Sequence, residues 1–175
     1  MIVTKHKKSK ILQDYFFIKG NIPNINADYF INKIEEGIKV EGNLTNKTSV
    51  KGELTSFDYF NQDTELHKIL HTLMDYYEKN NLDSSRSYYL KNSWGLKEIF
   101  GGFTIQHNHR YYLWSGVIYL SDINQPLFFP EINEEIKVEK GNFAIFSPFL
   151  NHETKNRVYF NEIKYGLSFN FAETY

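Results

Sequence analysis

Residues 163–170 read Ile163-Lys164-Tyr165-Gly166-Leu167-Ser168-Phe169-Asn170. Side chains alternate across a strand, so Ile163, Tyr165, Leu167 and Phe169 share one face, and Lys164, Gly166, Ser168 and Asn170 share the other. The first face belongs against a core. The second, built of small and polar residues, belongs to the wall of a polar cavity. An ammonium group directed into such a cavity wants an anion, and a charge-assisted hydrogen bond there contributes about 1.5–3 kcal/mol.

Upstream, short apolar or alternating runs fill the second half of the chain at 88–90, 95–100, 103–109, 113–120, 135–139, 142–146 and 157–159. Turn chemistry separates them, including Gly101-Gly102, 122–126 and Lys140-Gly141. The first half carries two helical patterns. Ile25, Tyr29, Ile31, Ile34 and Ile38 recur at roughly helical spacing with Asn26 available as a cap. Leu66, Ile69, Leu70, Leu73, Met74 and Tyr77 form a clearer stripe over 63–79, with Asp63 near its start. Eight strands after two helices predict a mostly-β, α+β fold: an antiparallel double sheet of jelly-roll type with the helices packed on one outer face. Another β-sandwich is the alternative. With no repeat or Pro/Gly linker, residues 1–175 are expected to form one domain, 1–90 as helical support and first strands, 91–175 as the core carrying the site. The polar stretch 41–56 reads as loop with one strand, either a lid or a surface insertion.

The composition narrows the function. Hydrophobic residues make up 41% and charged residues 23% of the 175 residues, a globular balance. The aromatic share of 17%, with 15 Phe and 13 Tyr, leans toward sheet. A net charge of -1 argues against a general nucleic-acid binder, which needs a basic face for phosphates. With no cysteine, disulfides, thiolate nucleophiles and cysteine-ligated clusters are excluded, so any metal must be held by His, Asp or Glu. The basic run 5–10 is not followed by a secretory apolar region, and no stretch approaches the ~20 apolar residues of a membrane span. A soluble cytoplasmic protein is expected, and the sequons at Asn43 and Asn46 carry little meaning.

The chemistry concentrates in Gln106-His107-Asn108-His109. On a strand, His107 and His109 lie about 6.6 Å apart along one face, together with Phe103 and Ile105. Two imidazoles at the end of an inward apolar face are costly to bury unless satisfied. A metal ion satisfies them, since neutral imidazole is a common ligand; surface or hydrogen-bonded histidines are the plainer alternative. A third histidine, His152, follows the strand 142–146 and Ser147-Pro148-Phe149-Leu150, and Lys164 comes twelve residues later.

From Ser93 to Phe171, about 80 of the 175 residues, the chain resembles the double-stranded β-helix oxygenases that use non-haem iron and 2-oxoglutarate, most closely a prolyl-hydroxylase-like group found in bacteria and phages. The resemblance rests on Ser93-Trp94, Gly102, the H-x-H at 107–109, Ser115 to Leu120, Phe128 to Pro130, Lys140 to Pro148, His152 and Lys164 to Asn170. It implies a cupin-like jelly roll in which His107 and His152 ligate Fe(II). Position 109 is where the wider superfamily places Asp or Glu, so His109 implies a three-His site. The alternative is that His109 stands behind the metal while Asp122, Glu131 or Glu153 reaches it. The resemblance makes Lys164 the partner of the distal carboxylate of 2-oxoglutarate, with Ser168 and Asn170 beside it, and Gly166 where a Ser is usual. The implied activity is a dioxygenase consuming 2-oxoglutarate and O2 to hydroxylate a C–H bond, on a prolyl or other protein side chain or on a small molecule.

Two rival readings accompany it. One is a three-His, cupin-type dioxygenase that binds its substrate directly and uses no 2-oxoglutarate. The other is a non-catalytic jelly-roll binding module with a structural metal or none. His67 and His71, an i, i+4 pair, lack the Glu of a helical zinc protease and read as a solvated helix edge. Arg157 reads as a strand-end or entrance residue. Tyr111, Tyr112 and Trp114 either line a substrate mouth or pack across strands.

Overall fold

Asn26 and Asp63 start the two helices. Helix α1 (Ala27–Glu41) begins where Asn26 Oδ1 accepts the Tyr29 N–H at 3.3 Å, and α2 (Thr64–Asn80) where Asp63 Oδ1 accepts the Leu66 N–H at 2.9 Å. The other Asp63 oxygen accepts from the Tyr29 hydroxyl at 2.8 Å and from the Lys33 ammonium, which ties α1 to the start of α2. On α2, Leu66, Leu70, Leu73, Met74 and Tyr77 are buried and Ile69 partly so, the stripe the spacing predicts. In the stripe predicted for α1, Ile34 is buried as expected, Ile25, Tyr29, Ile31 and Ile38 are only partly buried, and Phe30, outside that stripe, fills the core instead. This computed structural model describes residues 2–3, 15–41, 49–80 and 87–174. The basic run at 5–10, Asn43, Asn46 and the middle of the 41–56 stretch lie outside the described residues. No helix among the described residues is long and apolar enough to cross a membrane.

The strands are β1 (Ile2–Val3), β2 (Phe17–Asn21), β3 (Val50–Lys51), β4 (Glu53–Leu54), β5 (Tyr88–Glu98), β6 (Phe103–Thr104), β7 (Trp114–Tyr119), β8 (Ile123–Phe129), β9 (Glu134–Val138), β10 (Asn142–Phe146), β11 (Glu153–Thr154) and β12 (Lys164–Glu173). A seven-stranded sheet runs β1-β2-β10-β7-β12-β5-β4, a three-stranded sheet β11-β8-β9, and β3 pairs β6, every pairing antiparallel. Alternation sorts the large sheet into two buried faces. Ile118, Phe143, Ile145, Leu167 and Phe169 pack against the helices. Val117, Tyr119, Ala144 and Phe146 face the small sheet and meet Leu127, Phe129, Ile136 and Val138. The result is the double-layered, mostly-β fold with helices on one sheet that the strand count predicts, and the site lies between the layers.

Some strand expectations are corrected. Strand β5 is continuous over 88–98 where two strands are predicted, because β12 pairs with its whole length across a register shift at Asn170/Phe171. The strand predicted at 103–109 stops at Thr104, and the one predicted at 157–159 is replaced by β11. Strand β1 falls outside every predicted run, β3 and β4 stand where one strand is expected, and two longer strands, β2 and β8, are unpredicted as well. Strand β2 carries Lys19 and Gly20 after Phe17-Ile18 and so lacks clean alternation. Strand β8 contains Pro126, which donates no ladder hydrogen bond and reads as a turn. The fold accommodates it with a register irregularity against β9 between Ile123 and Leu127.

Candidate metal centre

The histidines are placed by backbone bonds rather than by strand alternation. His107 and His152 form an isolated antiparallel bridge, exchanging N–H···O bonds of 3.2 and 2.9 Å. That places their rings on neighbouring segments with centroids 4.3 Å apart. His109 is fixed by its own N–H to the Pro148 carbonyl, at 2.6 Å. Ile105, expected inward, is exposed, because the chain leaves the ladder before reaching it.

Ring orientation follows from three carbonyl-type acceptors. His107 Nδ1 lies 2.7 Å from the Ile105 carbonyl, His109 Nδ1 2.9 Å from Asn170 Oδ1, and His152 Nδ1 3.3 Å from the Leu150 carbonyl. Each acceptor assigns the ring proton to Nδ1 and leaves an Nε2 lone pair facing inward. His107 Nε2 and His109 Nε2 stand 3.3 Å apart, and one ring nitrogen from each histidine lies within 4.8 Å of the others. Burial lowers the pKa of all three. His109 falls to about 4, through burial first and the neighbouring His107 second; His152 falls well below its ordinary value, again through burial and then through His107 and His109; His107 falls through burial. Three neutral imidazoles with converged lone pairs form a donor set for a borderline divalent cation, and their Nδ1 contacts are the outer hydrogen bonds such ligands use. The residues fit a metal ion.

The structure groups no carboxylate with these histidines among the described residues. Asp122 accepts the Lys140 N–H at an exposed turn, and Glu153 sits on β11 paired with Phe128. Glu131 grips the Asn151 side chain, and Asn151 Oδ1 accepts from Asn108 Nδ2 at 2.9 Å. This chain links the residue between the two H-x-H histidines to the neighbour of His152. No periodicity or motif signals it, since Asn is common in any loop.

A narrow chamber of about 60 Å3 runs inward past the histidines, lined by Trp94, Leu96, Val117, Tyr119, Leu127, Phe146, Ser168 and Lys164 among others. Lys164 is 1% exposed. The sequence predicts a lysine awaiting an external anion. In the fold its ammonium also meets Glu98 Oε1 at 2.9 Å and Gln125 Oε1 at 2.8 Å, because a wholly unpaired buried ammonium would be too costly. Asn170 lies at the mouth rather than the inner end, accepting from the Ser115 hydroxyl at 2.6 Å besides contacting His109. Outside the histidines, a mouth of about 280 Å3 is lined by Ser49, Val50, Phe57, Trp94, Tyr112 and Asn170 among others. Tyr111 is exposed, while Trp114 packs in the helix-side core against Tyr77, Tyr88 and Phe171. Arg157 is exposed, 4.8 Å over the Phe103 ring. His67 and His71 are exposed on α2, as expected.

The two sheets and the space between them have the double-stranded β-helix fold of the 2-oxoglutarate oxygenases. No family model matches the chain, and no curated protein sequence does. Among solved structures, the viral collagen prolyl hydroxylase vCPH from Paramecium Bursaria Chlorella virus-1, in complex with 2OG, superposes with a TM-score of 0.65 at 17% identity, over 90% of this chain and 94% of that one. A Pseudomonas putida prolyl-4-hydroxylase gives 0.67 at 12% identity, over 91% and 93%. HygX from Streptomyces hygroscopicus, with nickel and 2-oxoglutarate bound, gives 0.64 at 11%, over 92% and 83%. At these identities the likeness is one of fold.

Proposed function

We propose that the chain is an iron(II)- and 2-oxoglutarate-dependent dioxygenase that hydroxylates a C–H bond. The observation that carries this reading is the convergence of three neutral imidazole nitrogens at the head of a narrow chamber whose wall includes a buried ammonium. His107, His109 and His152 would hold Fe(II), which supplies, with 2-oxoglutarate and O2, the oxidising power needed for an unactivated C–H bond. The chain's own part is positioning. Lys164 binds the distal carboxylate of 2-oxoglutarate, with Ser168 beside it on the same strand face. Trp94, Leu96, Val117, Tyr119, Leu127 and Phe146 keep the chamber dry, which strengthens each polar contact inside it. Asn170 holds His109 in its metal-binding tautomer. The aromatic mouth around Phe57, Trp94 and Tyr112 presents the substrate, and the prolyl hydroxylases of the same fold support a prolyl or other protein side chain in that role.

One observation favours a second reading. Lys164 already faces Glu98, which suits a three-His dioxygenase whose substrate binds the metal directly and which needs no 2-oxoglutarate. Oxygen consumption with and without 2-oxoglutarate separates the two. The first reading expects succinate to form from 2-oxoglutarate on addition of Fe(II), and turnover to vanish in His107→Ala and His152→Ala. Oxygen consumption that is indifferent to 2-oxoglutarate selects the second.

A further inference from the structure

The inner end of the chamber contains more charge than the proposed chemistry requires. The Lys164 ammonium has three N–H donors, and Glu98 Oε1 and Gln125 Oε1 take two of them, at 2.9 and 2.8 Å. Both acceptors grip it from behind the chamber lining. Glu98 is fully buried, and its second oxygen, Oε2, has no hydrogen-bond partner. An unpartnered carboxylate oxygen in a protein interior is rare and costly.

Building on the reading of Lys164 as co-substrate anchor, we propose that Glu98 is a specificity-determining residue of that subsite: a ligand's distal carboxylate joins it on one shared ammonium, and the two carboxylates take up one proton from solvent. One ammonium neutralises one carboxylate. A second, brought to the remaining N–H at the inner end of this narrow, largely apolar chamber, leaves an uncompensated negative charge. Two carboxylates sharing a site do not both ionise, and they titrate as a pair.

The surroundings offer no other counter-charge among the described residues. Thr104 on β6, with Oγ1 3.4 Å from Glu98 Oε1, and Gln125 on β8 are neutral. The Tyr119 hydroxyl on β7 is pushed far up by burial and then by Glu98, so it stays protonated. Lys97, the next residue on β5, points to the opposite face and pairs with Glu35 and Glu53. Lys51 and Arg157 lie over the Phe103 ring.

Calorimetry of 2-oxoglutarate binding to the Mn(II)-loaded protein, in two buffers of different ionisation enthalpy, counts the protons directly. 2-Oxobutyrate, which lacks the distal carboxylate, is the control. The expected result is about one proton taken up per 2-oxoglutarate and none per 2-oxobutyrate, with 2-oxoglutarate affinity rising by about tenfold per pH unit as pH falls from 8 to 7. In Glu98→Gln the uptake disappears and affinity at pH 8 increases. Equal uptake for the two acids, no uptake with 2-oxoglutarate, or weaker 2-oxoglutarate binding in Glu98→Gln overturns the inference. The wild-type proton count decides it even where the variant does not fold. Binding of neither acid overturns the co-substrate reading itself, and this inference with it.

Discussion

At the scale of single residues, the site depends on which nitrogen of each imidazole carries the proton. Asn170 Oδ1 holds the His109 Nδ1–H while accepting a second bond from Ser115. Asn170→Ala removes that acceptor, and metal affinity is expected to fall roughly 10–100-fold, read as a dissociation constant, with the fold intact. An unchanged constant would show that the tautomer is set elsewhere. Lys164 and Ser168 stand out by strand alternation and His107 and His109 by their spacing, while the ligand set with His152 follows from the resemblance. Glu98 has no such mark. It sits at the end of a run that reads as an ordinary strand, and only the fold brings it across to Lys164, 66 residues away in the chain. Asn108 and Asn151 are hidden for the same reason, because a hydrogen bond between loops leaves no periodic trace.

At the scale of elements, Gly116 shows how tightly β7 and β12 pack. A Cβ at that position would lie 2.2 Å from Phe169 Cζ and 2.9 Å from the Ala144 carbonyl oxygen. Gly116→Ala is therefore expected to destabilise the fold by about 1–3 kcal/mol through overpacking, measured by denaturant unfolding. Asp63 makes a different point. Desolvation alone would raise its carboxyl pKa, yet hydrogen bonds from Lys33, the Leu66 N–H and Tyr29 outweigh this and hold it below the ordinary value. Asp63→Ala should cost about 1–2 kcal/mol through the lost cap, and Asp63→Asn, which keeps a capping oxygen, distinctly less. Equal losses would assign the effect to the charge instead. Both helices are legible because their apolar stripes keep a 3.6-residue period over several turns. Strand β8 is not, because Pro126 mimics a turn and a register slip with no sequence signature compensates for it.

At the scale of the molecule, the buried histidines couple stability to pH. In the metal-free protein their folded pKa values lie below the ordinary value, His109 at about 4, so the unfolded chain binds more protons. The stability this contributes is complete above the unfolded value near 6.5 and is lost as pH falls from there toward 4. Thermal midpoints of the metal-free protein should decline over that window, and a flat profile would show that the rings are solvated. Adding a divalent cation at about 100 times its dissociation constant should return roughly 2.7 kcal/mol. The site also records how the chain comes together. Its metal-binding groups come from two segments held together by the His107–His152 bridge and the bonds flanking it, so capturing an ion requires the intervening β7, β8, β9 and β10 to have closed the loop between them. Long-range pairings of this kind form late and slowly in β-rich chains. In a stopped-flow refolding experiment, uptake of the cation would thus mark the closing step of assembly rather than its beginning.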